Sequence, residues 1–213
     1  MRLIIISPPA DIPDEVPMVC RILAQSSATL HLRKPGRGAT ELATYLNRIP
    51  VGLHHRVMVH DHPRLLDRFN LAGIHFSERL RRQEPELLRQ LRQAHPGCHI
   101  TSAFHRIEAV PGPGGMLDAI LLSPIFDSIS KKGYRAAFDR GDLKRFLRHT
   151  RNTVIALGGI DVNRIATAAD LGFKGVAVLG AVWSKNDPEA AARQLAAACR
   201  RAGFATNQAE QAT

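Results

Sequence analysis

The sequence has few cysteines and no long apolar run, which argues against a disulfide-rich protein and against a membrane-spanning one. Its three cysteines, Cys20, Cys98 and Cys199, are odd in number and lack the spacing of metal ligands. We expect reduced thiols rather than a disulfide framework. No apolar stretch reaches membrane-spanning length, and the start of the chain lacks the long apolar region and cleavage site of a signal peptide. These absences predict a cytoplasmic protein with no membrane partner.

Aromatic residues are also scarce, at 5% of the chain, although the net charge is +10 and the isoelectric point is near 10.4. The basic residues are spread over three predicted helical segments, 79–92, 140–148 and 193–201. Nucleic-acid binding normally combines basic patches with aromatic stacking platforms, which are scarce here. We therefore expect no nucleic-acid partner. A basic exterior would steer small anionic substrates to the protein.

No Gly-x-Gly-x-x-Gly motif follows the first predicted strand, which argues against a dinucleotide-binding open sheet. Short apolar runs instead alternate with helical segments along the chain, at Leu3–Ser7, Thr29–Leu32, Arg56–Val59, Gly73–Phe76, His99–Ala103, Leu117–Leu122, Thr153–Leu157 and Gly175–Leu179. Eight strands separated by helices imply parallel pairing and can close into a barrel. The predicted fold is therefore α/β, a single (β/α)₈ TIM barrel.

The predicted helices connect these strands at Asp14–Gln25, Ala39–Ile49, Pro63–Arg68, Gln83–Ala94, Asp139–Thr150, Asp161–Leu171 and Pro188–Ala202. The link between the fifth and sixth strands is rich in proline and glycine, so a helix there has at most two turns. Residues 1–202 are predicted to form one barrel domain, and residues 203–213 a frayed polar tail.

Glycines end the last two predicted strands, which points to a phosphate site. Gly158 and Gly159 follow the seventh strand, and Leu179 and Gly180 follow the eighth. Glycine turns before a helix expose backbone N–H groups that bind phosphate, and barrels commonly place this site after strands seven and eight. The alternative is that these glycines only make tight turns.

Polar residues follow strands two and three. Arg33 follows the second strand, and its planar guanidinium suits a phosphate or diphosphate, although pairing with a surface carboxylate is an equal alternative. The third strand ends in His60, Asp61 and His62. Adjacent strand residues point to opposite faces, so a zinc centre from these three is disfavoured. One carboxylate, Asp61, facing Mg²⁺ with phosphate oxygens is the better interpretation.

Two further strand ends carry histidine. His75 lies between apolar residues on the fourth strand, which is typical of a buried core histidine. His105 follows the fifth strand, where an imidazole can exchange protons with a bound substrate at neutral pH. A structural role for His105 is the alternative.

The loop after the sixth strand contains the densest polar cluster. It combines two hydroxyls, Ser128 and Ser130, with Lys131 and Lys132. Hydroxyls, successive N–H groups and a mobile lysine charge favour an ordered anion clamp over a flexible basic loop.

Together these landmarks resemble the thiamine phosphate synthase/TenI family of compact (β/α)₈ barrels. The resemblance covers nearly all of residues 1–202 and rests on the residues after strands two to eight, namely 30–33, His60, Asp61, 73–75, His105, 123–132, 156–160 and 175–182. The strand-six loop and the glycine turn are its most specific parts.

The resemblance implies small phosphorylated substrates. Synthases of this family join a hydroxymethylpyrimidine diphosphate to a thiazole phosphate with Mg²⁺. For such a reaction the resemblance puts Arg33 and Lys131 on the diphosphate and Asp61 on Mg²⁺. It puts Ser128 and Ser130 near the phosphates, and the thiazole phosphate on N–H groups at Gly159 and at Leu179–Gly180. A homodimer is left open.

The chain departs from the synthase pattern at three positions. Pro35, His60 and Leu80 stand where synthases have Lys, Asn and a second carboxylate, and Lys34 and Glu78 are the nearest substitutes. TenI-like relatives catalyse a proton shift that aromatises the thiazole phosphate. His105 matches their acid/base histidine within a Ser-x-His pattern, after a one-residue shift. We therefore expect a TenI-like tautomerase, with a true synthase using Mg²⁺ or a non-catalytic thiazole-phosphate binder as alternatives.

Overall fold

The computed structural model describes residues 1–112, 115–127 and 137–211, with side chains described as far as residue 203. Eight parallel strands form a closed barrel in chain order. The strands are β1 (Arg2–Ile6), β2 (Thr29–Leu32), β3 (Val57–His60), β4 (Gly73–Phe76), β5 (His99–Phe104), β6 (Ala119–Leu122), β7 (Val154–Leu157) and β8 (Gly175–Val178). The predicted (β/α)₈ TIM barrel is confirmed.

Helices cover the outside of the barrel. They are α1 (Glu15–Gln25), α2 (Ala39–Asn47), α3 (Glu78–Gln83), α4 (Pro85–Ala94), α5 (Arg140–His149), α6 (Ile165–Leu171), α7 (Gly180–Trp183) and α8 (Pro188–Gln211). Short 3₁₀ turns occupy Val51–Arg56, Pro63–Leu65, Ile107–Ala109 and Val162–Arg164. None of the described helices is both long and apolar enough to cross a membrane.

The strands are apolar almost throughout because they are buried on both faces. Their outward residues pack against the helices in two large clusters, and the residues that fill the barrel interior form a third cluster, of Ile4, Ile6, Ala119, Leu121, Ile155 and Ala177. β8 pairs with β1 to close the barrel, with Gly175 opposite Arg2. At Gly175 a Cβ would lie 2.8 Å from the Arg2 carbonyl oxygen, so the closing pair requires glycine there.

The sequence prediction differs from the structure at two places in the middle of the chain. The helix predicted over Gln83–Ala94 is α4, which begins at Pro85, whereas α3, Glu78–Gln83, was not predicted. Pro85 begins α4, because proline lacks the N–H that would continue α3 and is tolerated in a first helical turn. The segment predicted as a helix over Pro63–Arg68 is a 3₁₀ turn of three residues.

The last helix is longer than predicted. The prediction that it ends at Ala202 is wrong, because α8 continues through Gln211. Gly203 indicated a helix end in the sequence, but in the structure it lies within α8 and makes room for Met1. A Cβ at Gly203 would lie 2.5 Å from the Met1 nitrogen, so this glycine lets the first residue pack against α8. The Met1 ammonium also donates a hydrogen bond of 3.1 Å to the Cys199 carbonyl oxygen.

A buried ionic cluster ties the loop after β2 to α1 and α2. The Lys34 ammonium lies 2.6 Å from a Glu15 carboxylate oxygen, and the Tyr45 hydroxyl donates to the other Glu15 oxygen at 2.8 Å. The Lys34 side chain is fully buried. Burial, and then the Glu15 charge, raises the pKa of Tyr45. Lys34 therefore has a structural partner outside the barrel mouth.

Substitution of Lys34 tests this cluster. Lys34→Met leaves the buried Glu15 carboxylate without its cation, so we expect a loss of about 3–5 kcal/mol in the free energy of unfolding, measured by urea denaturation. Lys185→Met, at an exposed lysine, is the matched control and should stay within about 0.5 kcal/mol of the parent. A Lys34→Met protein as stable as this control would contradict the assignment.

Candidate active site

The carboxyl ends of the strands surround a cavity of about 460 Å³, large enough for a small-molecule substrate. A second cavity, of about 560 Å³, lies at the amino ends of the strands. Chemistry in TIM barrels is carried by the carboxyl-end loops, whereas the amino end contributes stability. The carboxyl-end cavity is also the one lined by the glycine turns and by Arg33 and His105.

The turn after β7 approaches the loop after β6 very closely. Gly158 and Gly159 have positive φ values of 93° and 65°, which side-chain-bearing residues rarely adopt. A Cβ on Gly159 would lie 2.4 Å from the Asp127 carbonyl oxygen and 2.6 Å from that of Phe126. The Gly159 N–H has no acceptor among the residues that the structure describes. Both glycines line the cavity.

The end of β8 contributes to the same wall of the cavity. Leu179 and Gly180 line it together with Gly158 and Gly159, as the barrel prediction requires. Next to them, the Trp183 indole N–H donates to the Ile6 carbonyl oxygen at 2.7 Å, which holds this segment against β1. Two backbone segments with glycines therefore face one space.

His105 lines the cavity on the side of β5. Its Nδ1 lies 2.9 Å from the Ser123 carbonyl oxygen. A carbonyl oxygen only accepts, so Nδ1 carries a proton, and in the neutral form of the ring the lone pair lies on Nε2. This hydrogen bond orients the ring and leaves Nε2 as a proton acceptor.

Arg33 lines the opposite side of the cavity and is exposed. Its backbone is held by Ser7 at the end of β1. The Arg33 N–H donates to the Ser7 hydroxyl oxygen at 2.8 Å, and that hydroxyl donates to the Arg33 carbonyl at 3.0 Å. The backbone of Arg33 is therefore fixed at the edge of the cavity.

The carboxylates near the cavity already have partners. Glu78 is the carboxylate that lines the cavity in the described part of the chain, and it is ion-paired with Arg82 at 2.6 Å. Asp61, which has a positive φ of 58°, accepts a hydrogen bond of 2.8 Å from the Ser77 N–H. Asp61 thus joins the ends of β3 and β4 and is not among the described cavity-lining residues.

Three histidines, His31, His60 and His75, meet inside the barrel on β2, β3 and β4. The His60 and His75 rings stack with centroids 4.3 Å apart, and His60 Nε2 lies 3.2 Å from His31 Nδ1. Burial holds the pKa of His31 and of His60 well below the usual value and lowers the pKa of His75 to about 3, and the Arg33 charge adds to this effect at His60 and His75. All three rings are therefore neutral near pH 7.

The sequence signals for these histidines were present but were not combined. His31, His60 and His75 each lie in the last two residues of a strand, and the three strands are consecutive in the barrel. Metal-ligand spacing within one stretch of sequence does not reveal this cluster, because the cluster forms between neighbouring strands.

Ser128, Ser130 and Lys131 lie outside the described residues. The described chain on either side of them is close to the cavity, because the Ala137 N–H donates to the Pro124 carbonyl oxygen at 3.1 Å and Pro124 lines the cavity. The roles of these three residues stay predictions.

Known proteins resemble this chain in sequence and in fold. A thiamine-phosphate synthase from Thermoplasma acidophilum is 37% identical over 81 residues, an alignment that spans 38% of this chain and 38% of the relative. One from Geobacillus kaustophilus is 28% identical over 179 residues, or 80% of this chain and 78% of the relative. The crystal structure of a thiamine phosphate pyrophosphorylase from Bacteroides thetaiotaomicron superimposes with a TM-score of 0.72. At 23% identity over 96% of this chain and 98% of that chain, this likeness shows the fold.

The family model described as thiamine monophosphate synthase matches residues 3–182, which include every described strand except the first residue of β1 and all the described cavity-lining residues. The chain belongs to the thiamine monophosphate synthase family.

Proposed function

We propose that this protein binds a thiazole phosphate in the carboxyl-end cavity and moves a proton on it, as TenI-like tautomerases do. The observation that carries the proposal is that His105 and two glycine-ended backbone segments, at Gly159 and at Gly180, line one cavity. A base with a defined lone pair and a backbone suited to a phosphate are the two parts that such a reaction needs.

We assign the phosphate to the part of the cavity wall that Gly158, Gly159, Leu179 and Gly180 form, called here the glycine wall. Backbone N–H groups bind phosphate oxygens well when no side chain obstructs the approach. Gly159 offers an N–H without an acceptor in the described part of the chain, and Gly180 lies on the same wall. Arg33 adds a positive charge across the cavity and can steer the anion into it.

His105 then performs the proton transfer. The neutral ring accepts a proton from one carbon of the substrate through Nε2 and becomes an imidazolium. It returns that proton to another atom of the substrate, so the reaction consumes no external acid or base. The Ser123 carbonyl holds Nδ1–H throughout and stabilises the charged ring.

The chemistry of a pyrimidine diphosphate is supported less well. Lys34, the nearest substitute for the missing synthase lysine, is buried against Glu15. Mg²⁺ needs six oxygen ligands in octahedral geometry. Asp61 is not among the described cavity-lining residues, and Glu78, which lines the cavity, is paired with Arg82, so the described carboxylates do not converge on a Mg²⁺ site in the cavity. We derive no step through Mg²⁺.

The second candidate is thiamine phosphate synthase. It is favoured by the names of the relatives described above, all of which are synthases or pyrophosphorylases, and these names support it more directly than they support a tautomerase. Arg33, in the cavity, is the described residue suited to a diphosphate.

An assay with both synthase substrates distinguishes the candidates. With hydroxymethylpyrimidine diphosphate, thiazole phosphate and Mg²⁺ supplied together, we expect no thiamine phosphate above background by chromatography, because the described diphosphate ligands are incomplete. The same preparation should convert the non-aromatic thiazole phosphate tautomer. Formation of thiamine phosphate at many turnovers per enzyme would replace the tautomerase proposal with the synthase.

Removal of the proposed base gives a second prediction. His105→Asn should leave the affinity for thiazole phosphate nearly unchanged and slow tautomerisation by about a hundredfold or more, the usual scale for loss of a general acid/base. The affinity is measured by calorimetry, and the rate is measured by following the aromatic product. His149→Asn, at an exposed histidine on α5, should behave as the parent does. Equal rates in the two variants would remove His105 from the mechanism, and loss of binding in His105→Asn alone would favour a non-catalytic binder.

The glycine wall gives a third prediction. Gly159→Ala places a methyl group against two carbonyl oxygens, so the turn must shift and its N–H moves away from the phosphate. We expect the affinity for thiazole phosphate to fall by about ten- to a hundredfold, the value of one or two hydrogen bonds to a charged group. Gly52→Ala, where a Cβ would meet open space, is the control. Unchanged calorimetric affinity in a folded Gly159→Ala protein would place the phosphate elsewhere.

A further inference from the structure

We propose that His31, His60 and His75 form a binding site for a divalent late first-row transition metal such as Zn²⁺, at the floor of the carboxyl-end cavity. Each ring offers one nitrogen, and these three nitrogens lie within 4.8 Å of one another. The inference does not depend on the proposed function, since metal binding is measured without any substrate.

The spacing of the rings is close to that of a three-histidine site. Tetrahedral Zn²⁺ with Zn–N distances of about 2.0–2.1 Å separates its nitrogen ligands by about 3.4 Å. His60 Nε2 and His31 Nδ1 are already 3.2 Å apart. The His75 ring is now stacked on His60. For coordination this ring must rotate so that its nitrogen moves by roughly one ångström or more toward the nitrogens of His31 and His60. The three strands that carry these residues are hydrogen-bonded neighbours, so the backbone can remain fixed.

The surroundings of the rings also suit a metal. His75 Nδ1 lies 2.8 Å from the Thr101 hydroxyl, an outer partner that orients the ring and leaves Nε2 for a ligand bond. His31 is fully buried, and its Nε2 is the one buried side-chain polar atom without a hydrogen-bond partner in the described part of the chain.

The chemistry of the ligand set selects the class of metal. Neutral imidazole binds Zn²⁺, Co²⁺, Ni²⁺ and Cu²⁺, whereas Mg²⁺ and Ca²⁺ require oxygen ligands. No carboxylate belongs to the cluster among the described residues, and the bound ion therefore keeps its positive charge.

The site has an open position. His60 and His75 line the carboxyl-end cavity, and His31 lines the amino-end cavity beneath them. Because two of the three ligands border the carboxyl-end cavity, the fourth ligand position of a tetrahedral ion would be reached from that cavity. Sites with three protein ligands and an open position hold water or a substrate atom, in contrast to closed structural sites. The metal would meet the same ligand that the glycine wall receives.

Metal titration of the full chain tests the site. After the protein is stripped with a chelator, Zn²⁺ is added in a calorimeter and Co²⁺ in a spectrophotometer. We expect one ion per chain and the intense visible bands of four-coordinate Co²⁺. His60→Asn removes a ligand at a cavity-lining position and should weaken Zn²⁺ binding by more than about a hundredfold, beyond the effect of losing an outer partner. His55→Gln, at an exposed histidine, should bind as the parent does.

Two further measurements keep the proposal testable if His60→Asn fails to fold. Thr101→Val removes only the outer partner of His75 and should weaken Zn²⁺ binding by about ten- to a hundredfold. X-ray absorption of the Zn²⁺-loaded parent should show three imidazole nitrogens at about 2.0 Å. Stoichiometry below one ion per chain, a six-coordinate Co²⁺ spectrum, or equal affinity in Thr101→Val and the parent would overturn the proposal.

Discussion

The site depends on one close approach, between the turn after β7 and the loop after β6. Gly158 and Gly159 meet the backbone of Pro124, Phe126 and Asp127 at distances that exclude any Cβ. Both glycines line the cavity, and the Gly159 N–H has no acceptor among the described residues. The close approach also fixes the start of the β6 loop, next to the Ser123 carbonyl that orients His105. The phosphate wall and the base are thus positioned by the same packing of two neighbouring connections.

Much of the fold could be predicted from the sequence because the strands are buried on both faces and therefore read as short apolar runs. β2 and β4 have the predicted bounds. The end of α8 was predicted wrongly because a local signal has a tertiary meaning. Gly203 allows contact with Met1 rather than ending α8. That contact joins residues that are far apart in the chain and leaves no periodic signal.

The candidate site was predictable where position on a strand alone decides the answer. Gly159, Gly180, Arg33 and His105 follow strand ends, and the barrel brings all four to one cavity. The direction of Lys34 was not predictable, because it depends on a buried carboxylate supplied by α1. The histidine cluster was missed for a related reason. Its members are separated in sequence, and only the register between β2, β3 and β4 brings the rings together.

The central claim is that one cavity holds both ends of a thiazole phosphate, with the phosphate on the glycine wall and the thiazole ring against His105. A crystal structure with bound thiazole phosphate tests it most directly. The account predicts phosphate oxygens within hydrogen-bonding distance, about 2.7–3.2 Å, of the N–H groups of Gly159 and Gly180, with His105 Nε2 beside the ring. A phosphate bound to Arg33 with the ring directed away from His105 would contradict the account.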